Sequence, residues 1–354
     1  MSNSDELSQY DYSLPPELIA KEPLPARDAS RLMLVNRETG VISHHMIGDL
    51  PNLLDPGDCL VMNDSRVIPA RLIGKRAATQ GKWEGLFLGT FENGQWHLIG
   101  QTRGKLIAGE TITLEQAHHD GNLRQFQMTL IEKHEDGTWS AAPESRRNPF
   151  EVLREFGTVP LPPYLQRKQA TELDWDRYQT VYASRDGSVA APTAGLHFTD
   201  RLLEACQAQE ISQVFVTLHV GMGTFQPIST ESLEQHVMHV EFCEVSEETA
   251  TDVNRARQSG SRIVAVGTTS ARTLESAVRS ATVQTFCGVT DLFIRPPYRF
   301  HAVDALLTNF HLPRSTLFVL VSTLAGSELI QRAYDTAIRS RYRFYSYGDA
   351  MLIL

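Results

Sequence analysis

Cysteine is scarce. The 354 residues hold four, Cys59, Cys206, Cys243 and Cys287, scattered and without a Cys-x-x-Cys pair. That excludes a disulfide framework and a cysteine zinc site, and it fits a reducing cytoplasm. Long apolar runs are missing too. The longest, around Leu317 to Ala325, is far too short to span a bilayer. The N-terminus, Ser2-Asn3-Ser4-Asp5-Glu6, is polar and acidic with no apolar core after it, so no secretory signal is expected. Nor is there an excess of positive charge. A net charge of -9 argues against a protein that coats nucleic acid non-specifically, while leaving room for a local basic groove around one folded RNA. Internal repeats and low-complexity tracts are absent. What remains is an ordinary globular composition, 42% hydrophobic and 21% charged, in a chain long enough for a large core and about two domains.

The character of the chain changes along its length. From Val67 to Ala142 it reads as short strands, Val67–Ile73, Trp83–Phe91, Gln95–Gly100, Glu110–Leu114 and Phe126–Lys133, divided by turns such as Glu92-Asn93-Gly94 and Glu135-Asp136-Gly137. That spacing predicts a small antiparallel β-barrel or sandwich. Before it, Leu32–Asn36 and Val41–His45 read as a hairpin, and Asp58–Met62 as a buried strand. After it, prolines extend Val159-Pro160-Leu161-Pro162-Pro163-Tyr164. Helices are expected over Arg201–Gln209 (capped by Thr199 or Asp200), Glu247–Gln258 (capped by Ser246), Thr273–Arg279 and Leu329–Ser340. Strands are expected over Val214–Leu218 and Arg262–Val266. The alternation argues an α/β domain, residues 1–66 and 143–354, with residues 67–142 inserted as the barrel.

Four segments of the α/β part put small residues and hydroxyls beside a histidine or arginine. The run Gly187 to Thr199 includes Gly195 and His197, and its small side chains suit close approach of a ligand; a tight loop with a packed histidine reads equally. Val216-Thr217-Leu218-His219-Val220-Gly221-Met222-Gly223-Thr224-Phe225 resembles half a dinucleotide fingerprint, but the third glycine is absent and Pro227 follows. It reads better as a strand end where backbone meets ligand. Val266-Gly267-Thr268-Thr269-Ser270-Ala271-Arg272 brings hydroxyls to a helix N-terminus, where a carboxylate is favoured; Thr269 or Ser270 as a plain cap is the other reading. It lacks Gly-Lys-Ser/Thr and is no Walker loop. Thr308-Asn309-Phe310-His311-Leu312-Pro313-Arg314 mixes amide, imidazole and guanidinium in one loop, more than a structural turn needs.

His236-Val237-Met238-His239 is a weak metal signal, because a strand sends the two histidines to opposite faces; no metal is expected. Asn63-Asp64-Ser65-Arg66 reads as a polar turn, and Arg71, Lys75, Arg76 and Lys82 follow as candidate phosphate contacts. Arg339, Arg341 and Arg343, interleaved with Tyr342, Phe344 and Tyr345, form a second basic–aromatic stretch; such stretches are usually solvated surface.

Taken in order, these segments resemble the S-adenosylmethionine:tRNA ribosyltransferase-isomerases of queuosine biosynthesis. The resemblance starts at Tyr12-Ser13-Leu14-Pro15 and Arg27-Asp28-Ala29-Ser30-Arg31-Leu32. It passes through Asn63-Asp64-Ser65-Arg66-Val67-Ile68-Pro69-Ala70-Arg71, Tyr178-Gln179-Thr180-Val181-Tyr182-Ala183 and the four segments above. It closes on Tyr342-Arg343-Phe344-Tyr345-Ser346-Tyr347-Gly348-Asp349-Ala350-Met351. Departures are Ser65 for an expected Thr, Ala271 for Val, Pro296-Pro297-Tyr298 for Pro-Gly-Tyr, and a less basic Gly100 to Lys105.

The resemblance implies an α/β domain with an inserted barrel, a monomer, and a cytoplasmic enzyme acting on tRNA. The ribosyl part of S-adenosylmethionine would pass to 7-aminomethyl-7-deazaguanine in tRNA and rearrange, giving epoxyqueuosine with release of adenine and methionine. S-adenosylmethionine is then a consumed co-substrate, and no cofactor or membrane is implied. Proton transfers are required, because an alkylamine of pKa near ~10 must be neutral to attack. His197, His219 and His311 are the expected proton carriers, and Arg272 and Arg314 the expected anion holders. Thr268, Thr269 and Ser270 would hold the methionine end, with Gly195, Gly221, Gly223 and Asn309 lining the site. Phe198, Phe225 and Phe310 would face the sulfonium. Arg66, Arg71, Lys75 and Arg76 are the expected tRNA contacts. Two rival functions are an S-adenosylmethionine-dependent tRNA methyltransferase and a non-catalytic tRNA-binding protein.

Overall fold

The computed structural model describes residues 5–117, 123–165, 167, 170–221, 223 and 227–354. By internal contacts the chain divides into Met1–Arg66, Tyr164–Gln166 and Asp176–Leu354 as one unit, and Val67–Pro163 with Arg167–Trp175 as the other. The second unit thus runs past Ala142, the exit expected from the sequence, because it also takes in the helix Pro149–Phe156 and the connector behind it.

The first unit is built on a nine-stranded sheet. Ser212–Leu218, Cys59–Asn63, Ile263–Val266 and Ala305–Asn309 lie side by side and parallel at its centre. Ala350–Ile353 joins Ala305–Asn309 antiparallel and Arg31–Val35 parallel, and antiparallel strands finish both edges. Two of the central strands are apolar over four residues, Cys-Leu-Val-Met and Ile-Val-Ala-Val, because both of their faces are covered. Alternate residues serve opposite sides. Cys59, Val61, Ile263, Ala265 and Leu306 pack with the helices Glu247–Gln258, Thr268–Ser276, Thr316–Ala325 and Ser327–Arg339. Leu60, Met62, Val264, Val266 and Leu307 pack with Leu202 and Cys206 of the helix Asp200–Ala208.

Parallel strands point their carboxyl ends the same way. The register Val216 to Asn63, Val266 to Met62 and Val266 to Leu307 therefore brings His219, Asn63, Gly267 and Asn309 to one edge of the sheet. Ala350 pairs with Asn309, so the loop before Ala350 reaches that edge as well. Carboxyl ends of parallel strands are where open α/β sheets bind ligands.

The second unit is a closed antiparallel barrel. Arg71–Arg76, Lys82–Thr90, Trp96–Thr102, Trp139–Pro143, Leu123–Lys133 and Thr111–Ala117 follow one another around it, and the last pairs back to the first. Its interior is filled. The Trp96 ring stands 5.2 Å from Phe87 and 5.5 Å from Phe126, and Phe126 meets Phe156 of the helix Pro149–Phe156 at 5.9 Å. Trp83 lies over Gly85, where an added Cβ would come within 2.1 Å of the indole. Five of the six strands overlap those expected from the sequence; Trp139–Pro143 and the helix behind it are additions. Among the described residues no helix is long and apolar enough to cross a membrane.

Candidate active site

A pocket opens at the carboxyl edge of the nine-stranded sheet. Ala191–Ala194, Gly267–Thr269, Thr308–Leu312 and Tyr345-Ser346 form most of its wall.

Gly267 ends a strand and starts a helix at φ +90°, a conformation that favours glycine. Thr268, Thr269 and Ser270 are the first residues of that helix, so their backbone N–H groups have no intrahelical partners and carry the positive end of its dipole. No side chain caps it. The hydroxyls are used elsewhere: Ser270 Oγ donates to the Val266 carbonyl at 2.8 Å, and Thr269 Oγ1 accepts from Asn63 Nδ2 at 3.2 Å. Neither reading of this helix start as a hydroxyl cap holds. The Asn63 amide also accepts from the Leu218 and Ser65 N–H groups, which ties three strand ends together.

The three histidines occupy three environments. His311 is in the pocket wall, its Nε2 2.8 Å from Thr308 Oγ1, and burial holds its imidazole down at about 3. His197 is buried behind Asn309, its Nε2 3.2 Å from the amide nitrogen, and burial holds it at about 4. His219 stacks on Phe242 at 5.4 Å and shares a 2.8 Å hydrogen bond with Ser65 Oγ; burial lowers its pKa too. An added Cβ at Gly187 would stand 2.5 Å from His219 Nε2, so glycine there makes room for the ring. Ser65 keeps a hydroxyl where a threonine is expected. All three imidazoles are neutral at pH 7, and only His311 faces the pocket.

Several other expected site residues are spent on the protein itself. An added Cβ at Gly195 would meet the Tyr182 hydroxyl at 2.1 Å, and one at Gly223 would meet His239 at 1.9 Å. Gly221 donates its N–H to Glu241 Oε1 at 2.8 Å. These glycines admit side chains or fix a loop; none lines the pocket. Arg272 is buried, paired with Glu241 and bonded from Nε to the Leu292 carbonyl at 3.1 Å, while its Nη2 is buried with no partner among the described residues. Arg314 lies outside the pocket wall, half-exposed and 3.9 Å from Asp11. Phe198 is in the core below the sheet, Phe310 lines the pocket, and Phe225 and Met222 lie outside the described residues.

Each of the expected tRNA contacts stands beside a carboxylate. Arg66 stands 3.7 Å from Asp186, Arg71 is 2.7 Å from Glu84, Lys75 is 2.6 Å from Glu115, and Arg76 pairs with Glu110. Alternating signs on neighbouring strands pair by register, which the cation run alone does not reveal. In the second basic–aromatic stretch, Tyr342 and Phe344 are core, and the Arg343 N–H donates to Asp349 at 2.8 Å. The aromatics of that stretch are packed, while Arg339 and Arg341 are exposed.

Two pocket residues escape the segment-by-segment reading. Tyr345 takes φ +72°, which is strained for an aromatic residue, and stacks on Tyr164 with 4.6 Å between rings. Both line the pocket. The Tyr164 hydroxyl donates to Ser346, and burial pushes the Tyr345 phenol up to about 12. Their signal was the two ordered motifs, Pro162-Pro163-Tyr164 and Tyr345-Ser346-Tyr347.

The pocket therefore combines a helix N-terminus for an anion, aromatic faces for a cation, and a neutral imidazole. Comparison with known proteins bears on the family of the whole chain. A family model of queuosine biosynthesis proteins matches residues 7–353. A Symbiobacterium thermophilum protein named S-adenosylmethionine:tRNA ribosyltransferase-isomerase is 48% identical over 352 residues, 98% of this chain and 99% of its own. A Thermoanaerobacter protein of the same name is 45% identical over 358 residues, again 98% and 99% of the two chains. The crystal structure of the S-adenosylmethionine tRNA ribosyltransferase of Thermotoga maritima aligns with a TM-score of 0.56 and 37% identity, over 98% of this chain and 100% of that one. With matches running almost end to end, this chain belongs to the queuosine biosynthesis family of S-adenosylmethionine:tRNA ribosyltransferase-isomerases.

Proposed function

We infer that the protein transfers the ribosyl moiety of S-adenosylmethionine to 7-aminomethyl-7-deazaguanine in tRNA and isomerises it, giving epoxyqueuosine-tRNA with release of adenine and methionine. The observation that carries the site assignment is the pocket at the carboxyl edge of the sheet, with Thr268 and Thr269 at a helix N-terminus and the rings of Tyr164, Phe310 and Tyr345 around it. The helix start holds the methionine carboxylate. The aromatic faces hold the sulfonium. His311, neutral at pH 7, is free to accept a proton from a group held against it, and Thr308 orients its ring. A base held at about 3 is weak, so its work depends on a pocket that shuts out water and binds the attacking amine unprotonated. His219 and His197 act from behind the wall.

The chemistry as written is redox-neutral and asks for no cofactor, and we place it in a cytoplasmic monomer. Incubation with modified tRNA and S-adenosylmethionine labelled in adenine and methionine tests the reading. Free adenine and free methionine are expected in equal amounts. S-adenosylhomocysteine in their place would make the protein a methyltransferase, and tRNA binding without turnover would make it a binding protein.

A further inference from the structure

Asn309 is the last residue of a central strand and lines the pocket at 2% exposure. Its side-chain nitrogen is 3.2 Å from the Tyr345 carbonyl and 3.2 Å from His197 Nε2. A carbonyl oxygen can only accept, so the nitrogen must face Tyr345; flipping the amide would set two acceptors against each other. The second amide N–H then goes to His197, whose Nε2 must be the bare nitrogen. The ring's own proton lies on Nδ1, towards the Arg27 backbone, which favours it there. Both donors of Asn309 are thereby taken. Its oxygen Oδ1 is left buried with no partner among the described residues. Buried acceptors are nearly always satisfied, and an exception in a pocket wall calls for a donor from the ligand.

We propose that Asn309 Oδ1 accepts an N–H from an amino group of a substrate, and that His197 and Tyr345 are positioning residues that hold the amide in the orientation this requires. The proposal rests on the ribosyltransferase reading and assigns one of its contacts. The neighbouring geometry favours the α-ammonium of S-adenosylmethionine. Ile263–Val266 and Ala305–Asn309 are adjacent parallel strands, and the Gly267 N–H donates to the Leu307 carbonyl at 2.7 Å. Asn309 thus stands beside the helix start assigned to the carboxylate. An amino-acid end presents both charges at that spacing. The aminomethyl group of the modified base, bound as the neutral amine, is the other source of an N–H.

The test is calorimetric titration of the full-length protein with S-adenosylmethionine and with an analogue carrying hydrogen in place of the α-amino group. In wild type the analogue should bind about ten- to a hundredfold more weakly. Asn309→Leu, close in volume, should bind S-adenosylmethionine weakly by the same factor and no longer distinguish the two ligands. If S-adenosylmethionine binding is unchanged but KM for tRNA bearing the aminomethyl base rises by that factor, the proposal stands with the base as donor. The absence of both changes would overturn the proposal. His197→Leu should lose the same ligand discrimination, and His197→Gln, which supplies an acceptor oxygen, should restore it; a merely structural histidine would give neither pattern. The wild-type comparison of ligands stands even where a variant fails to fold. No binding of S-adenosylmethionine to wild type would instead remove the ribosyltransferase reading itself.

Discussion

The two units of this chain handle polarity in opposite ways. In the barrel the interior is aromatic and aliphatic, and charges sit outside, where Arg71 meets Glu84 and Lys75 meets Glu115. In the α/β unit, Asn63, Ser65, Thr269, Asn309 and His311 are buried at the sheet's carboxyl edge and bonded to one another or to strand ends. Burying polar groups is costly unless they are paired, so a fold concentrates them where they serve a purpose. The barrel packs Trp83, Trp96 and Phe126 inside, whereas the sheet edge holds a pocket walled by polar groups. The difference assigns the small-molecule chemistry to the α/β unit.

The largest effect that would sharpen this contrast is on stability. Trp96→Ala empties the middle of the barrel and should cost about 3–5 kcal/mol. Thermal melting should show the loss, and calorimetry on the protein that remains folded should show S-adenosylmethionine affinity unchanged. A parallel loss of affinity would break the contrast. Next comes His311→Leu, which should lower turnover by about a hundredfold or more while the melting temperature stays close to wild type. Near-wild-type adenine release would remove His311 from the chemistry.

Acidification gives a third effect. An imidazole with an ordinary pKa of 6.5 protonates in the unfolded chain, but folded His311 resists down to about 3 and folded His197 down to about 4. Above pH 6.5 both states are neutral and this stability is fully present; it is lost as pH falls from about 6.5 towards 4. The loss is about 1.4 kcal/mol per pH unit for each histidine. Melting curves at pH 7 and pH 5 should show it, with a smaller drop in His197→Gln; equal melting temperatures at the two pH values would contradict the burial argument. The smallest effect belongs to the barrel surface. Lys75→Ala breaks an exposed pair and should cost under about 1 kcal/mol. It should leave the salt dependence of tRNA binding unaltered, whereas a slope reduced by about one would return Lys75 to the phosphate contacts.

How much of this was legible in the sequence depended on how local the cause was. The helix Glu247–Gln258 is readable to the residue because Ser246 caps it, accepting from the Thr249 N–H. The helix Thr268–Ser276 starts five residues before Thr273, where propensity places it, because Thr268, Thr269 and Ser270 are helical only through burial. The strand Trp139–Pro143 is short and ends in proline, which hides it, but the Asn148-Pro149 start of the next helix is a signal the sequence does carry. In the site, Thr268, Thr269, Asn309 and His311 were findable as polar residues at strand ends. Gly195 and Gly223 misled, since a close approach to glycine does not say whether ligand or protein makes it. The pairing of Arg272 with Glu241 was not legible, because Glu241 is distant in sequence. The Tyr164–Tyr345 stack joins two distant motifs and can be seen only in the fold.

The central claim is that S-adenosylmethionine is held at the carboxyl edge of the α/β sheet. Amide hydrogen exchange of the full chain, with and without saturating S-adenosylmethionine, tests it most directly. The account predicts added protection at Thr268–Ser270 and across Phe310 to Leu312, with the barrel strands from Arg71 to Pro143 unchanged. Protection confined to the barrel strands, with those amides exchanging as before, would contradict it.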